Sequence, residues 1–119
     1  RLTILNKLKK LDFIIPVIIS KQAITSKSAK IKSGTIVMDR AVIHQDVNIG
    51  ENCIINTGAI IEHDVTIGSN SHISTGAIVN GGVKIGNNVF IGSGSIIVNN
   101  INIKSNSFVK AGSLVKKHI

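Results

Sequence analysis

Hydrophobic positions along this chain recur every six residues. Stepping by six from Ile19 to Val115, sixteen of seventeen positions are Ile or Val, Thr25 being the exception. Four places further on, from Ala23 to Ser113, fifteen of sixteen are Ala, Ser, Thr, Cys or Val, with Ile101 the exception. Between these two rows, from Gln22 to Gly112, thirteen of sixteen positions are Gly, Asn or Asp, the residues that tolerate φ > 0. A β-branched residue in a short strand followed by a left-handed-competent residue reads as a strand and a corner. Corners repeated at equal intervals close the chain into a coil. With three units per coil, residues 18 apart stack at the ~4.8 Å strand spacing, and the pattern predicts an all-β, parallel solenoid over residues 19–119. That span amounts to between five and six coils.

Residues 1–18 fall outside the register. Leu2, Leu5, Leu8 and Leu11 recur at i, i+3, which predicts a short helix before an extended segment from Phe13 to Ile19. We read this stretch as a cap on the open end of the solenoid or the remnant of a preceding domain. A membrane-surface or partner helix is the competing role. A chain that starts with Arg1 also fits a piece of a longer protein.

Composition narrows the class. The core must be filled by 24 Ile and 11 Val, since the 119 residues hold three aromatics, all Phe; this argues against a helix bundle. No apolar run approaches the ~20 residues of a membrane-spanning helix. A single cysteine, Cys53, forms no internal disulfide, and with no signal peptide in view the expected compartment is the cytoplasm. The net charge of +8 looks like a nucleic-acid footprint until it is mapped. Twelve of the fourteen cationic side chains lie in residues 1–32 and 104–119, and residues 33–103 are net negative. Without aromatic platforms for base stacking, the basic ends read as solvated surface and no nucleic-acid role is expected.

The units Ile-Gly-Glu-Asn-Cys-Ile (49–54), Ile-Gly-Asn-Asn-Val-Phe (85–90) and Ile-Gly-Ser-Gly-Ser-Ile (91–96) resemble the hexapeptide repeat of left-handed β-helix acyltransferases. The tract Ile-Asn-Thr-Gly-Ala-Ile-Ile-Glu-His-Asp (55–64), with Ser-His-Ile-Ser-Thr-Gly-Ala (71–77) and Asn-Gly-Gly-Val-Lys-Ile-Gly (80–86), is similar to the sialic-acid O-acetyltransferase and nucleotide-sugar N-acetyltransferase subfamily. The resemblance implies a left-handed parallel β-helix with three faces per coil. It further implies acetyl transfer from acetyl-CoA to an amino or hydroxyl group of a sugar or nucleotide-sugar, in a homotrimer with sites between subunits. An N-terminal domain that holds the nucleotide-sugar is usual in that subfamily. Residues 1–119 therefore leave the acceptor, and the choice between O- and N-acetylation, open.

An 18-residue coil ranks the residues that could carry this chemistry. His63 sits just before a corner, between Glu62 and Asp64. Imidazole accepts a proton near neutrality, and a neighbouring carboxylate can hold its tautomer. Asp64 also fills the repeating corner slot, which explains it equally well. One coil above His63 stands Gly81, whose slot elsewhere holds polar residues such as Ser69, Thr75 and Ser93; a bare glycine there would leave room for a ligand and an open N–H for an oxyanion. His72 lies half a coil from His63, so the two cannot converge within one chain. Asn56, 18 residues below Ser74, belongs to the His72 side. If both groups serve one site, a second copy completes it.

In the roles implied by the resemblance, His63 is the general base and Asp64, or else Glu62, holds its ring. Gly81 and His72 contact the acetyl group, while Asn56, with Ser74 above it, helps order the base or acceptor. His44 and His118 read as solvated, Cys53 as core, and Lys104, Lys110 and Lys116 as surface residues on three different faces. Two other classes compete: a non-catalytic solenoid scaffold, and a trimeric carbonic-anhydrase-like zinc enzyme. The zinc reading needs a close histidine pair that this sequence lacks, so no metal is expected.

Overall fold

The computed structural model describes residues 1–119 as a helix, α1 (Leu2–Lys10), followed by seventeen two-residue strands, β1 to β17, spaced six residues apart. All pair in parallel with the strand 18 residues away, and they sort into three sheets. The first face stacks β1 (Ile18–Ile19), β4 (Ile36–Val37), β7 (Ile54–Ile55), β10 (His72–Ile73), β13 (Phe90–Ile91) and β16 (Phe108–Val109). The second stacks β2 (Ile24–Thr25), β5 (Val42–Ile43), β8 (Ile60–Ile61), β11 (Ile78–Val79), β14 (Ile96–Ile97) and β17 (Leu114–Val115). The third stacks β3 (Lys30–Ile31), β6 (Asn48–Ile49), β9 (Thr66–Ile67), β12 (Lys84–Ile85) and β15 (Asn102–Ile103). The result is a left-handed parallel β-helix with three faces per coil.

Each corner uses the left-handed backbone that the Gly/Asn/Asp row anticipates. Fourteen of its sixteen positions have positive φ, Arg40 included, while Gln22 and Ser28 in the first coil do not. Inside the prism, the second residue of each strand and the small residue four places on build one continuous core of 23 side chains, most of them Ile and Val. Each aliphatic side chain rests on another 18 residues away. Burial at about 25 cal/mol per Å² thus accumulates rung by rung.

The small inward slot has a second task. Where it holds a hydroxyl, the side chain donates to a carbonyl of the same coil and accepts an N–H from the next. Thr35 Oγ1 donates to Gly50 O at 2.8 Å and accepts from Cys53 N at 3.0 Å, and Ser71 does the same between Gly86 O and Val89 N. Buried polar groups are thereby satisfied.

The helix sits on the edge between the third and first faces. Leu5 is buried against Gly34, the Arg1 guanidinium donates to Gly34 O at 2.8 Å, and Lys9 pairs with Glu51. Leu2, Ile4 and Leu11 remain exposed, so only Leu5 of the leucine row is spent on the core. No helix is long and apolar enough to cross a membrane.

Thr25, the one break in the Ile/Val row, carries the single buried side-chain oxygen without a partner. We predict that Thr25→Val, which keeps the shape and removes the orphaned hydroxyl, stabilises the protein by about 1 kcal/mol. The check is a higher urea midpoint at unchanged slope.

Candidate active site

His63 and Asp64 occupy the corner between the second and third faces, where Asp64 takes φ 60. That turn holds the carboxylate beside the preceding ring: His63 Nδ1 lies 2.8 Å from Asp64 Oδ2. A carboxylate accepts, so Nδ1 carries the proton and the Nε2 lone pair is free. Asp64 thus has both functions weighed from sequence, as corner residue and as partner of the ring. Glu62 turns elsewhere. Its carboxylate faces His44 Nε2 at 3.6 Å, one coil below, so His44 is paired and not merely solvated.

Gly81 stands over His63, but the space it opens is not vacant. A Cβ at Gly81 would lie 2.6 Å from His63 Nε2 and 2.7 Å from Cε1, so the imidazole itself fills the place of the missing side chain. The expectation of open room for a ligand is corrected accordingly: the glycine seats the ring. Gly82 N donates to His63 O at 3.0 Å and locks the two coils together, while the Gly81 N–H has no partner in the chain. A lone pair on Nε2 and an uncommitted amide N–H therefore stand side by side.

His72 projects from the first face, well away from His63 as the half-coil spacing required. Asn56 Oδ1 accepts from Thr57 N at 2.7 Å, which turns the carboxamide so that Nδ2 faces His72 Nε2 at 3.2 Å. A ring nitrogen facing a donor must accept, so the His72 proton sits on Nδ1. Burial holds the His72 pKa below the ordinary histidine range, with the Arg1 charge acting in the same direction. The ring is a neutral Nδ1–H donor. Asn56 therefore orders His72, not His63. Ser74 is largely buried and its hydroxyl is engaged with Ser93 Oγ at 2.9 Å, so it supports this wall from behind. Cys53 is wholly buried, its thiol faces Gly68 O at 3.1 Å, and burial pushes its pKa up; it is a core residue.

Above His72 the first face carries aromatic rings that site reasoning from sequence missed. Phe90 meets His72 edge-on at 5.2 Å, and Phe108 stacks on Phe90 at 5.1 Å. The signal was available: His72, Phe90 and Phe108 are 18 apart. The first residues of the strands also differ by face. On the first and second faces they are apolar apart from His72; on the third they are Lys30, Asn48, Thr66, Lys84 and Asn102. Two outer faces are greasy and one is polar. Within one chain, no three His, Cys, Asp or Glu side chains come together in a metal-binding group.

Residues 46–81 and 82–117 each match the sequence pattern described as bacterial transferase hexapeptide (six repeats). The chain belongs to this hexapeptide-repeat transferase family. Among solved structures it is similar to the acetyltransferase domain of PglB from Neisseria gonorrhoeae FA1090, at 32% identity and a TM-score of 0.98 over 100% of this chain and 58% of that one. The same domain solved in complex with acetyl coenzyme A matches at 32% identity and a TM-score of 0.97, over 98% of this chain and 57% of that one. PerB from Caulobacter crescentus, in complex with CoA and GDP-perosamine, matches at 30% identity and 0.97, over 98% and 56% of the two chains. This hexapeptide-family chain thus spans little more than half the length of these structures. A comparison with curated protein sequences finds no match.

Two outcomes are expected from this geometry. Gly81→Ala must displace the His63 ring, because its new Cβ and the imidazole cannot share one place, whereas the backbone there needs no positive φ. Imidazole ¹⁵N spectra should show the Nδ1 contact with Asp64 lost while the unfolding midpoint stays near wild type. For His72, the unfolded ring binds a proton at higher pH than the folded one. Its contribution to stability is therefore complete above the ordinary pKa of about 6.5 and declines as pH falls through the window beneath it. The wild-type unfolding midpoint should drop more steeply than that of His72→Gln over this range.

Proposed function

We propose that this chain transfers an acetyl group from acetyl-CoA to an amino or hydroxyl group of a nucleotide-linked sugar, with His63 as general base. The observation that carries the reading is the His63–Asp64 pair seated against Gly81 beside a free amide N–H. The likeness to sugar acetyltransferase structures holding acetyl coenzyme A, or CoA with GDP-perosamine, supports the choice of donor and acceptor class.

His63 Nε2 takes the proton from the acceptor as its nitrogen or oxygen attacks the thioester carbonyl. The Asp64 carboxylate, bonded to Nδ1–H, stabilises the imidazolium that forms. Negative charge gathers on the carbonyl oxygen, where the Gly81 N–H and the neutral Nδ1–H of His72 are the donors. The tetrahedral species collapses by breaking the C–S bond, and the thiolate of CoA recovers the proton from His63. The acetylated sugar and CoA leave, with no acyl-enzyme formed. Buried and protonated, Cys53 takes no part.

The outer faces support a trimer. Its apolar first face would pack against the apolar second face of the next copy about a threefold axis. The corner between those faces holds Gly58, Gly76, Gly94 and Gly112, with open space beyond each, so nothing bulky stands where three chains would meet. In such packing the His63 corner of one copy approaches the edge from which His72 of the partner subunit projects. The two half-sites then become one.

In the test, the protein is given acetyl-CoA and a panel of nucleoside-diphosphate amino sugars while free CoA thiol is followed. His63→Ala should slow release by at least about a hundredfold, in line with loss of general-base catalysis. Turnover equal to wild type would remove His63 as the base. Mixing inactive His63→Ala chains with inactive His72→Ala chains should restore about a quarter of the sites if each is built from two copies. No recovery on mixing would put each site within a single chain.

A further inference from the structure

Of the three corners, the one between the third and first faces carries Asn52, Asn70, Asn88 and Asn106, all at positive φ between 56° and 66°. The turn alone does not demand asparagine. The corner between the first and second faces meets the same backbone requirement with Gly58, Gly76, Gly94 and Gly112, at φ of 67° to 71°. One side-chain bond accounts for part of the choice: Asn52 Nδ2 donates to Asn70 Oδ1 at 2.8 Å. The Asn70 NH₂ and the whole Asn88 carboxamide have no side-chain or backbone partner in the chain.

These uncommitted amides line a cleft of about 270 Å³ with His72, Ile54 and Arg1. Its polar and apolar walls are arranged in a particular way. Asn88 stands one coil above Asn70, donor and acceptor groups side by side, and Asn70 precedes His72 by two residues. Ile54, paired in register beneath His72, supplies an apolar floor. Arg1 brings a guanidinium and no carboxylate lines the cleft, so the local field favours an anion.

We propose that this cleft is the acceptor subsite: it holds the sugar ring of a nucleotide-sugar. The carboxamides of Asn70 and Asn88 bond the ring hydroxyls, Ile54 meets its C–H face, and Arg1 meets the glycosyl phosphate. Paired donor and acceptor groups of an amide match vicinal hydroxyls, while the guanidinium fork matches a phosphate. The site lies on the edge of the prism that carries His72, where the partner copy's base would arrive. This assignment rests on the acetyltransferase reading and adds the residues that select the acceptor.

The test replaces both residues with the one that keeps the turn, Asn70→Gly with Asn88→Gly. Two hydrogen bonds lost at about 1 kcal/mol each should raise the acceptor KM by about tenfold or more. The KM for acetyl-CoA, inhibition by the nucleoside diphosphate alone and the unfolding midpoint should stay within about twofold or near wild type. An acceptor KM that does not move overturns the proposal. So does a parallel rise in the acetyl-CoA KM, which would assign the cleft to the coenzyme. Binding is read separately through side-chain amide NMR signals of Asn70 and Asn88 in wild-type protein titrated with the same panel of nucleoside-diphosphate amino sugars, GDP-perosamine among them. Shifts confined to these amides uphold the subsite even if no CoA is released, an outcome that would sink the acetyl-transfer reading alone. Amides that stay unperturbed under saturating acceptor overturn the subsite.

Discussion

The molecule depends on one constraint: each residue must lie over the residue 18 places before it. Every element of the prism follows from keeping that register. Strands of two residues are too short to be stable alone, yet each is paired with the strands above and below, end strands excepted. Corners repeat because a left-handed residue reverses the chain at fixed intervals, and the core is continuous because the inward row never loses its β-branched side chain for more than one rung. A single inserted residue would send every later side chain to the opposite surface.

The same stacking makes the site. A prism of identical rungs has no natural cavity, and chemistry enters where one rung omits something that its neighbours have. Gly81 is such an omission. Its absent side chain is replaced by the His63 imidazole from the coil below, so the ring is held from above by backbone and at Nδ1 by Asp64. On the other side of the prism, His72 is fixed by Asn56, whose own orientation is set by a backbone N–H. Both imidazoles therefore have determined tautomers, each with a nitrogen aimed outward for a different task.

Much of the fold could be read directly. The period of six, the alternation of large and small inward residues and the corner residues all survive intact in the structure, since each reflects a local preference repeated many times. The pairing of His63 with Asp64 was partly legible, being a contact between neighbours. Less legible was the destination of Glu62, which faces His44 across a coil, and that of Asn56, which serves His72. Both are choices between side chains at similar distances, decided by rotamers that no period encodes. Gly81 was singled out for the right position and the wrong reason, because its spacing reveals a missing side chain but not what occupies the gap.

By itself the sequence determined the repeat, the parallel pairing, the residues that face inward and those that stack, because a short period leaves the backbone few alternatives. Tertiary structure alone decided which ring nitrogen carries each proton, that the imidazole fills the glycine slot, and that two apolar faces adjoin a polar one. Those outcomes depend on contacts between coils at distances of about 3 Å, where competing partners differ by about one hydrogen bond, and such differences are settled only when every coil is in place.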